Sequence, residues 1–342
     1  MNAFPYEPPS PHFLDGSELG TAGIARLVER SFELATGAKP YQFQGSRIAA
    51  LFFNPSLRTR TSLEFAASSL GAKLVTLSAG QGLWQIEHRQ GAVMNEDKAE
   101  HIAEVAGVLS EMAHITALRT FAGLEDKSAD LNDQKLSSFI QYASNKVINL
   151  ESALWHPLQG LADTATWVNR LGDLKGKRIT LTWAPHPKPL PTAVANQVLL
   201  SAAMQGMEIT LAHPKPFDLP PHIVQRCTTL ARENGGALQI KHNPNEAYEG
   251  AQVVVAKSWS GVSGYGQRAN ETRQRQTYLD WMVTKDKMDQ TDRAGFMHCL
   301  PVRRNVVVAD EVMDGPQSWT KYTAGMRMWT AMAVLEHMLE KR

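Results

Sequence analysis

The sequence has little cysteine, no long apolar run and almost no net charge. Its 342 residues include two cysteines, Cys227 and Cys299, which argues against a disulfide scaffold and against a cysteine-based zinc site. No apolar run approaches the roughly 18 residues of a membrane span. The first ten residues carry three prolines and no basic residue, so we expect no signal peptide there. These absences predict a reduced, cytoplasmic protein.

Charge and motif content exclude further classes. Lys and Arg number 35 and Asp and Glu 34, a formal charge of +1 that gives no reason to expect a nucleic-acid or membrane partner. The sequence contains no Walker loop, dinucleotide glycine fingerprint, His-Glu-x-x-His motif or Gly-x-Ser-x-Gly elbow. The sequence therefore predicts no metal and no cofactor.

What the chain does contain is apolar material for two domains of the α/β class. Hydrophobic residues make up 43% of it and charged residues 20%, as in ordinary globular proteins. Short β-rich runs alternate with amphipathic helices, which indicates parallel sheets covered on both faces. We predict strands at 47–53, 73–77, 114–118, 147–150, 178–183, 208–213, 238–241, 253–256 and 295–300, and helices at 56–70, 99–113, 158–171, 192–204, 222–233 and 322–340. The domains change near residues 151–175.

A basic segment follows the first predicted strand. Ser56-Leu57-Arg58-Thr59-Arg60 lies at the predicted start of a helix, where unpaired N–H groups and the helix dipole attract anions. Arginine adds planar charged groups that match phosphate oxygens. Helix capping by Ser56 with solvated arginines explains the same residues about equally well.

Other polar residues follow further strands, where ligands bind in such folds. They are Arg119, Glu151, the run His156-Pro157-Leu158-Gln159, and His298-Cys299-Leu300-Pro301 with Arg303 and Arg304. Each alone is weak evidence, and a single His or Cys at a strand end is better explained by packing. Their recurrence at several strand ends favours one shared anion site.

The three motifs Ser56-Leu57-Arg58-Thr59-Arg60, His156-Pro157-Leu158-Gln159 and His298-Cys299-Leu300-Pro301, in this order and spacing, resemble those of the carbamoyltransferases. The free-ornithine enzymes carry a Ser-Met-Gly loop that is missing here. The chain instead has Trp183-Ala184-Pro185-His186-Pro187-Lys188-Pro189-Leu190-Pro191, Gly82-Leu83-Trp84-Gln85-Ile86-Glu87 and Ala256-Lys257-Ser258-Trp259. These are similar to the subfamily that acts on Nα-acylated ornithine.

The resemblance implies an α/β fold of two parallel-sheet αβα domains, the second knotted, assembled as a homotrimer. It implies a carbamoyl-phosphate-binding domain at 1–155, an acylornithine-binding domain at 156–321, and a C-terminal helix at 322–342 that returns to the first domain. The activity implied is transfer of a carbamoyl group to the δ-amine of an acylated ornithine, a step of arginine biosynthesis.

The resemblance also implies residue roles. Carbamoyl phosphate would be bound by Ser56, Leu57, Arg58, Thr59, Arg119, His156, Gln159, Cys299, Leu300 and Arg327, and by Trp84 of a neighbouring subunit. Six of these, Arg58, Arg119, His156, Gln159, Cys299 and Arg327, are predicted to be catalytic. A nucleophilic role for Cys299 is disfavoured, since no partner base is evident. Arg60 is expected to support the phosphate site from outside it.

A second set of residues would hold the acylated amino acid: Glu151, His186, Lys188, Lys257, Arg303 and Ala99. Lys257 and Arg303 suit its α-carboxylate, and the proline-rich loop with His186 and Lys188 would close over the acyl group. From the residues alone, the alternative for Lys257 is a solvated lysine after an edge strand, and the loop is better explained as a rigid turn.

Ala99 bears on the choice between acetyl and succinyl. Acetylornithine relatives have Glu at the matching position and succinylornithine relatives have Pro. A glutamate about 4 Å from the succinyl carboxylate would repel it by roughly 4 kcal/mol at an effective dielectric near 20, and Ala99 removes that repulsion. We therefore favour N-succinyl-L-ornithine, with N-acetyl-L-ornithine as the alternative.

Two hypotheses from other classes stay open at this point. One is a non-catalytic homologue that binds carbamoyl phosphate without turnover, against which the retained arginines, His156 and Gln159 argue. The other is a plain nucleotide-binding α/β protein, against which the missing glycine fingerprints argue.

Overall fold

The computed structural model describes residues 11–340, so the first ten residues, on which the signal-peptide prediction rests, lie outside it. The chain divides into two compact units. The first contains the described residues up to Ala122, then 128–161 and the chain from Met326, and the second contains 123–127 and 162–325. The functional division at 1–155, 156–321 and 322–342 stays a prediction.

A parallel sheet forms the centre of the first unit. Its strands occur in the order β2-β1-β5-β6, all parallel, and a separate two-stranded sheet pairs β3 with β4. The bounds are β1 Arg47–Phe52, β2 Lys73–Ser78, β3 Ile86–Glu87, β4 Glu100–His101, β5 Ile115–Arg119 and β6 Lys146–Glu151. β5 is buried along its whole length, as expected for a parallel strand covered on both faces.

Strand order determines where a ligand can bind in this unit. The chain runs outward from β1 to β2 on one side and from β5 to β6 on the other, so the order reverses between β1 and β5. At such a reversal the loops after neighbouring strands diverge and leave a crevice at their carboxyl ends. Asn54 follows β1 there, and its Oδ1 accepts a hydrogen bond from Phe121 N at 2.8 Å.

Helices cover this sheet. Their bounds are α1 Gly20–Ala35, α2 Arg58–Ser69, α3 Ile102–Met112, α4 Lys127–Leu131 and α5 Gln134–Tyr142. α2 ends as its sequence predicts: Gly71 has φ +67°, and Ala72 N donates to Ala67 O at 3.0 Å. Leu51, Ile102, Leu118, Leu136 and Phe139 belong to the buried core of the unit.

The second unit is built on a five-stranded parallel sheet in the order β11-β10-β7-β8-β9. Its strands are β7 Arg178–Trp183, β8 Glu208–Ala212, β9 Ala237–Lys241, β10 Val253–Lys257 and β11 Gly295–Met297. Its helices are α7 Ala193–Met204, α8 Pro221–Glu233, α9 Arg268–Arg275, α10 Lys285–Met288 and α11 Asp310–Met313. The strand order reverses between β7 and β10, so the loops that follow these two strands flank the crevice of this sheet.

Two long helices, α6 (Pro157–Leu171) and α12 (Thr320–Glu340), each contain a point where the chain passes from one unit to the other. Short 3₁₀ helices lie at Ser17–Leu19, Lys215–Phe217, Pro244–Glu246 and Leu279–Trp281. None of the helices between residues 11 and 340 has the length and apolarity needed to cross a lipid bilayer.

The predicted α/β class and the two parallel sheets are confirmed. One predicted helix is wrong at its start: residues 99–101 are not helical, because Glu100–His101 pairs with β3 and α3 begins at Ile102. The His101 imidazole caps α3, since its Nδ1 accepts from Ala103 N at 3.2 Å. Met112, the last residue of α3, is 63% exposed.

Candidate active site

The first turn of α2 carries part of the predicted phosphate site. Ser56 Oγ accepts from Thr59 N at 3.2 Å, and Arg58 begins the helix. Leu57 is 75% exposed, whereas Thr59 is buried. Arg60 points elsewhere: its Nη2 donates to Ser78 Oγ at 2.7 Å and its guanidinium lies 4.1 Å from the centre of the Phe52 ring. Arg60 therefore braces the ends of β1 and β2.

Arg327 of α12 joins the first turns of two helices in the same unit. Its Nη1 donates to Gln159 Oε1 at 2.6 Å, and its Nη2 donates to Thr59 Oγ1 at 3.0 Å. All three side chains are buried. A planar guanidinium is the side chain that can donate to two acceptors in fixed directions at once. Arg327 thereby fixes the position of the first turn of α2 relative to the first turn of α6.

A second cluster forms where β5 and β6 end. Arg119 is paired with Glu151 in the strand register, and its Nη1 donates to Glu151 Oε2 at 2.6 Å. The same oxygen lies 3.2 Å from His156 Nε2. The Arg119 guanidinium also stacks 4.4 Å from the Phe121 ring centre, and its Nε is buried without a hydrogen-bond partner among the described residues. The Arg119 guanidinium is therefore a buried cation that is oriented by the Glu151 carboxylate.

The segment that carries Trp84 and Ala99 is anchored by Glu87. The buried Glu87 carboxylate accepts from Arg89 Nη2 at 2.7 Å and from Lys98 Nζ at 3.0 Å. These hydrogen bonds lower the pKa of Glu87 far below its usual range, so it is charged at neutral pH. Trp84 is 69% exposed. Ala99 is also exposed, on a cavity of about 510 Å³ that Glu100, His101 and Glu104 line together with Gly91, Ala92 and Met94.

In the second unit, the loops after β7 and β10 meet where the strand order reverses. Ala184 N donates to Lys257 O at 3.0 Å, and Ser260 N donates to Leu190 O at 2.8 Å. The proline-rich loop and the Lys257 segment are therefore joined along their backbones. Lys188 is exposed, and Lys257 Nζ donates to Ser258 O at 3.0 Å.

His186 connects this loop with Arg303. Arg303 Nε donates to His186 Nε2 at 3.2 Å, so Nε2 is the acceptor and Nδ1 carries the proton that is shared with Lys188 O at 2.9 Å. Burial, with the charges of Lys257, Arg303 and Arg275, lowers the pKa of His186 to about 4. A neutral imidazole that orients an arginine suits a site for a carboxylate.

The His298-Cys299-Leu300-Pro301 motif follows β11. His298 Nδ1 accepts from Leu300 N at 2.9 Å, and the peptide bond before Pro301 is cis. Leu300 has φ +54°, a left-handed conformation that non-glycine residues rarely adopt and that occurs most often at functional sites. Arg304 turns away from the motif and pairs with Asp310 and Asp314.

Comparison with known proteins decides the family. The carbamoyl-phosphate-binding domain of the aspartate/ornithine carbamoyltransferases matches residues 11–169, and their Asp/Orn-binding domain matches 191–338. The chain belongs to the aspartate/ornithine carbamoyltransferase family. It is therefore an enzyme that transfers carbamoyl groups.

Relatives with named substrates are similar over most of this carbamoyltransferase. An N-acetylornithine carbamoyltransferase of Xanthomonas campestris is 39% identical, with 95% of this chain and 96% of the relative covered. An N-succinylornithine carbamoyltransferase of Bacteroides thetaiotaomicron is 36% identical, with 85% and 86% covered. An ornithine carbamoyltransferase of Acidothermus cellulolyticus is 29% identical, with 96% of each covered.

A solved structure of acetylornithine transcarbamylase with acetylcitrulline superposes on the carbamoyltransferase with a TM-score of 0.93. It is 39% identical in sequence, and 96% of this chain and 98% of that chain are covered. The predicted α/β architecture thus has a close structural counterpart.

Most predicted site residues of this carbamoyltransferase are gathered into clusters. Thr59, Gln159 and Arg327 form one in the first unit, and Arg119, Glu151 and His156 form another. His186, Lys257 and Arg303 lie together in the second unit. Glu151 contacts residues predicted to bind carbamoyl phosphate, although it was itself predicted to hold the acylated amino acid.

Sequence reasoning missed two anchoring groups. Glu87 and the pair Glu271–Arg275 are buried charges that hold segments with predicted site residues. The spacing of Glu271 and Arg275, four residues apart in a helix, was the available signal. It was hidden because α9 is so highly charged that it resembles a solvated helix.

Proposed function

We propose that this carbamoyltransferase moves the carbamoyl group of carbamoyl phosphate to the δ-amine of an Nα-acylated ornithine, with N-succinyl-L-ornithine favoured. The products are the N-acylcitrulline and phosphate, and the step serves arginine biosynthesis. The observation that carries the proposal is the pair of buried clusters around Arg327 and Arg119, which fix the donors that a doubly charged phosphate and a carbamoyl oxygen require.

Carbamoyl phosphate is held by the start of α2. Ser56, Arg58 and Thr59 with the backbone N–H of Leu57 bind the phosphate, because a helix N-terminus presents unpaired donors and a positive dipole end. Arg119 and Arg327 add charge. The role of the Arg327–Thr59 hydrogen bond is to fix the Thr59 side chain beside the phosphate.

The carbamoyl group is held by a different set. Arg119 and His156 polarise its oxygen, Gln159 binds its NH₂ group, and the backbone at Cys299 and Leu300 supports the same NH₂. Glu151 keeps Arg119 and His156 in place through its Oε2. Donors fixed in advance cost no reorganisation when charge develops on the oxygen.

The reaction is an acyl transfer. The neutral δ-amine attacks the carbamoyl carbon and forms a C–N bond, and the electron pair moves onto the carbonyl oxygen. That oxyanion collapses, the C–O bond to phosphate breaks, and the amine proton leaves with the phosphate. Loss of one donor to such an oxyanion typically costs about 3–4 kcal/mol. Positioning supplies much of the remaining acceleration.

The acylated amino acid is bound by the cations of the second unit. Lys257 and Arg303 bind its α-carboxylate, and the neutral His186 orients Arg303. Lys188, which is exposed on the proline-rich loop, closes over the acyl group. A succinyl group has a terminal carboxylate, so Lys188 is the cation we assign to it.

Ala99 supports succinyl over acetyl. The family resemblance implies a glutamate at the position of Ala99 in the acetylornithine enzymes. Structures of N-acetyl-L-ornithine transcarbamylase in which one glutamate is replaced by alanine or proline were solved with carbamyl phosphate and N-succinyl-L-norvaline. We propose that this glutamate is the one that Ala99 replaces.

Acetylornithine is the second candidate, and two observations favour it. The relatives named for acetylornithine are slightly more similar, at 37–39% identity against 35–36% for those named for succinylornithine. The cavity beside Ala99 is lined by Glu100 and Glu104, whose carboxylates would repel a succinyl group that entered it.

The deciding experiment measures ureido product from carbamoyl phosphate with ornithine, Nα-acetylornithine and Nα-succinylornithine in separate assays. We expect turnover of the succinyl compound above all, and a loss on the order of 1000-fold in its kcat/KM in Ala99→Glu. Ala99→Gln is the matched control, since it adds the same volume without charge and should lose far less.

Other outcomes distinguish the alternatives. Preference for acetylornithine in the unchanged protein contradicts the Ala99 argument but keeps the acylornithine assignment. Turnover of free ornithine alone contradicts that assignment. Binding of carbamoyl phosphate without turnover of any amine points to a non-catalytic homologue.

We also propose that the active protein is a cytoplasmic homotrimer in which Trp84 reaches the carbamoyl-phosphate site of a neighbouring subunit. The exposure of Trp84 on the Glu87-anchored segment supports this, because a large apolar side chain 69% open to water is suited to meet a partner.

A further inference from the structure

Helix α9 contains a charged pair that is fully withdrawn from water. Arg275 is 0% exposed and Glu271 is 4% exposed. Arg275 Nε lies 2.9 Å from Glu271 Oε1, and Nη2 lies 2.5 Å from the same oxygen. Burying two charges carries a desolvation cost that an apolar pair avoids, so stability is a weak explanation for this pair.

The rest of the Arg275 guanidinium is directed at the turn after β10. Nη1 donates to Ser258 Oγ at 2.7 Å, and Nη2 donates to Trp259 O at 2.7 Å. The Trp259 carbonyl also accepts from Trp183 Nε1 at 3.0 Å. The two residues that follow Lys257 are therefore fixed by directional hydrogen bonds.

Close packing of the loop around Glu271 is a second observation. A side-chain carbon at Gly264 would lie 2.2 Å from Glu271 Oε2, so the Glu271 carboxylate occupies the space that a side chain at residue 264 would need. Gly264 N also donates to Gly261 O at 2.9 Å, which holds the loop in a tight turn. The loop is shaped to receive the Glu271 carboxylate.

The constraint extends beyond Lys257. Ser260 exchanges two hydrogen bonds with Leu190, through Ser260 N to Leu190 O at 2.8 Å and Leu190 N to Ser260 Oγ at 3.1 Å. Leu190 belongs to the proline-rich loop that carries His186. Arg275 thus acts on the backbone that presents Lys257 and, through Ser260, on the loop that presents His186.

We propose that Arg275, oriented by Glu271, is a positioning residue for the acylated amino acid: it fixes the turn 258–260 so that Lys257 is presented to the substrate carboxylate. The inference rests on the proposed function in that Lys257 binds that carboxylate. Arg275 is fully buried and acts through the turn 258–260. It therefore differs from the residues that we assign to direct contact with the substrate.

The test compares Arg275→Met, Arg275→Lys and Glu271→Gln by steady-state kinetics. We expect Arg275→Met to raise the KM for the acylornithine at least 10-fold and to leave the KM for carbamoyl phosphate within about twofold. Arg275→Lys keeps one donor group and should recover part of the loss. Glu271→Gln conserves the shape of the side chain, and its KM for the acylornithine should lie between those of Arg275→Met and Arg275→Lys. It also provides the test if Arg275→Met does not fold.

Lys287→Met is the matched control for lost stability. Lys287 is also buried in the second unit, where its Nζ donates to Met282 O at 2.9 Å and lies 6.0 Å from the Tyr248 ring centre. We expect it to lower the melting temperature without separating the two KM values. Equal changes of both KM values in Arg275→Met, or the same kinetics as Lys287→Met, would overturn the positioning role.

Two further measurements separate this proposal from the proposed function. If Lys257→Met leaves the KM for the acylornithine unchanged, Arg275 has no substrate group to position and the proposal fails, while carbamoyl transfer stands. If no amine is carbamoylated, the proposed function fails. Amide hydrogen exchange at residues 258–260 then still tests whether Arg275 fixes this turn. If it does, exchange must be faster in Arg275→Met than in Lys287→Met.

Discussion

The guanidinium of Arg327 is the clearest case in which the shape of one side chain decides what a site can do. It donates to Gln159 Oε1 and to Thr59 Oγ1 from two different nitrogens, in a buried setting where an unpaired acceptor is costly. Lysine would keep the charge but concentrate its donors at one atom. Charge and geometry can therefore be separated at this residue.

We expect Arg327→Lys to lower kcat/KM for carbamoyl phosphate on the order of 100-fold, because one of the two helix starts loses its hydrogen bond and Thr59 is released. Initial-rate kinetics with carbamoyl phosphate varied measure this. Arg30→Lys is the control, since Arg30 Nε donates to Glu336 of the same helix α12 at 2.7 Å. If both variants behave alike, Arg327 contributes only to the packing of α12.

Single residues also show where prediction from sequence stops. Arg119, Glu151 and His156 were predicted to be site residues because each follows a strand, and register then places the first two side by side. That Glu151 serves Arg119 and His156 could not be predicted, because side-chain pairing depends on a shift in register between Leu118 and Arg119. The anchoring role of Glu87 could not be predicted, because its partners Arg89 and Lys98 lie in a segment with no periodic pattern.

At the scale of elements, the parallel strands were the most predictable feature. β7 was predicted at its exact bounds, and β1 within one residue, because apolar runs end where turn residues begin. α1 was not predicted although it is amphipathic, since its glycine-containing start lacks a capping side chain. β4 was missed because two residues carry no pattern of their own, and pairing with β3 defines it.

One buried acid links two elements of the first unit and makes their contact depend on pH. Asp133, which precedes α5, accepts from Ser152 Oγ and from Ala153 N in the loop after β6. Burial raises the pKa of Asp133 to about 7, against 3.8 for a free carboxyl group. The folded protein therefore holds a proton there that the unfolded chain releases.

This pKa shift contributes a fall in the free energy of unfolding as pH rises from about 4 to about 7, because at this carboxyl only the folded state stays protonated in that window. Asp133→Asn should remove that contribution, so its stability relative to the unchanged protein should improve across the window, on the order of 3 kcal/mol. Denaturant unfolding at pH 4.5, 6 and 8 measures the difference between the two curves.

Taking a difference is necessary because other groups also titrate differently in the folded protein. Burial raises the pKa of Glu18 to about 8, which adds a slope of the same sign, and lowers the pKa of His88 and of His186 to about 4, which adds slopes of the opposite sign. Asp97→Asn, at an exposed position, is the matched control and should follow the unchanged protein at every pH. A constant difference between Asp133→Asn and the unchanged protein from pH 4.5 to 8 would contradict the assignment.

At the scale of the whole molecule, the same arrangement occurs twice. Each unit has a parallel sheet whose strand order reverses next to its first strand, and in each some of the predicted binding residues follow the strands at that reversal while others follow the neighbouring edge strand. The alternation of strands and helices predicted two such sheets. The same alternation could not predict which residues would contact a second copy of the chain. Surface residues that contact a partner subunit follow no periodic pattern in the sequence.

Trp84 gives the assembly a direct test, because a residue that serves a neighbour's site can be supplied by a different chain. We expect Arg58→Met and Trp84→Ala to be nearly inactive alone and to regain activity when the two are co-expressed or refolded together. In a randomly mixed trimer, about a quarter of the sites combine an intact Arg58 from one chain with an intact Trp84 from the next, so specific activity should approach a quarter of that of the unchanged protein.

Arg58→Met mixed with Arg119→Met is the control, since both residues belong to the first unit of one chain and no mixture restores a site. A mixture of Arg58→Met and Trp84→Ala that is no more active than the mean of its parents would show that Trp84 acts within its own chain or not at all.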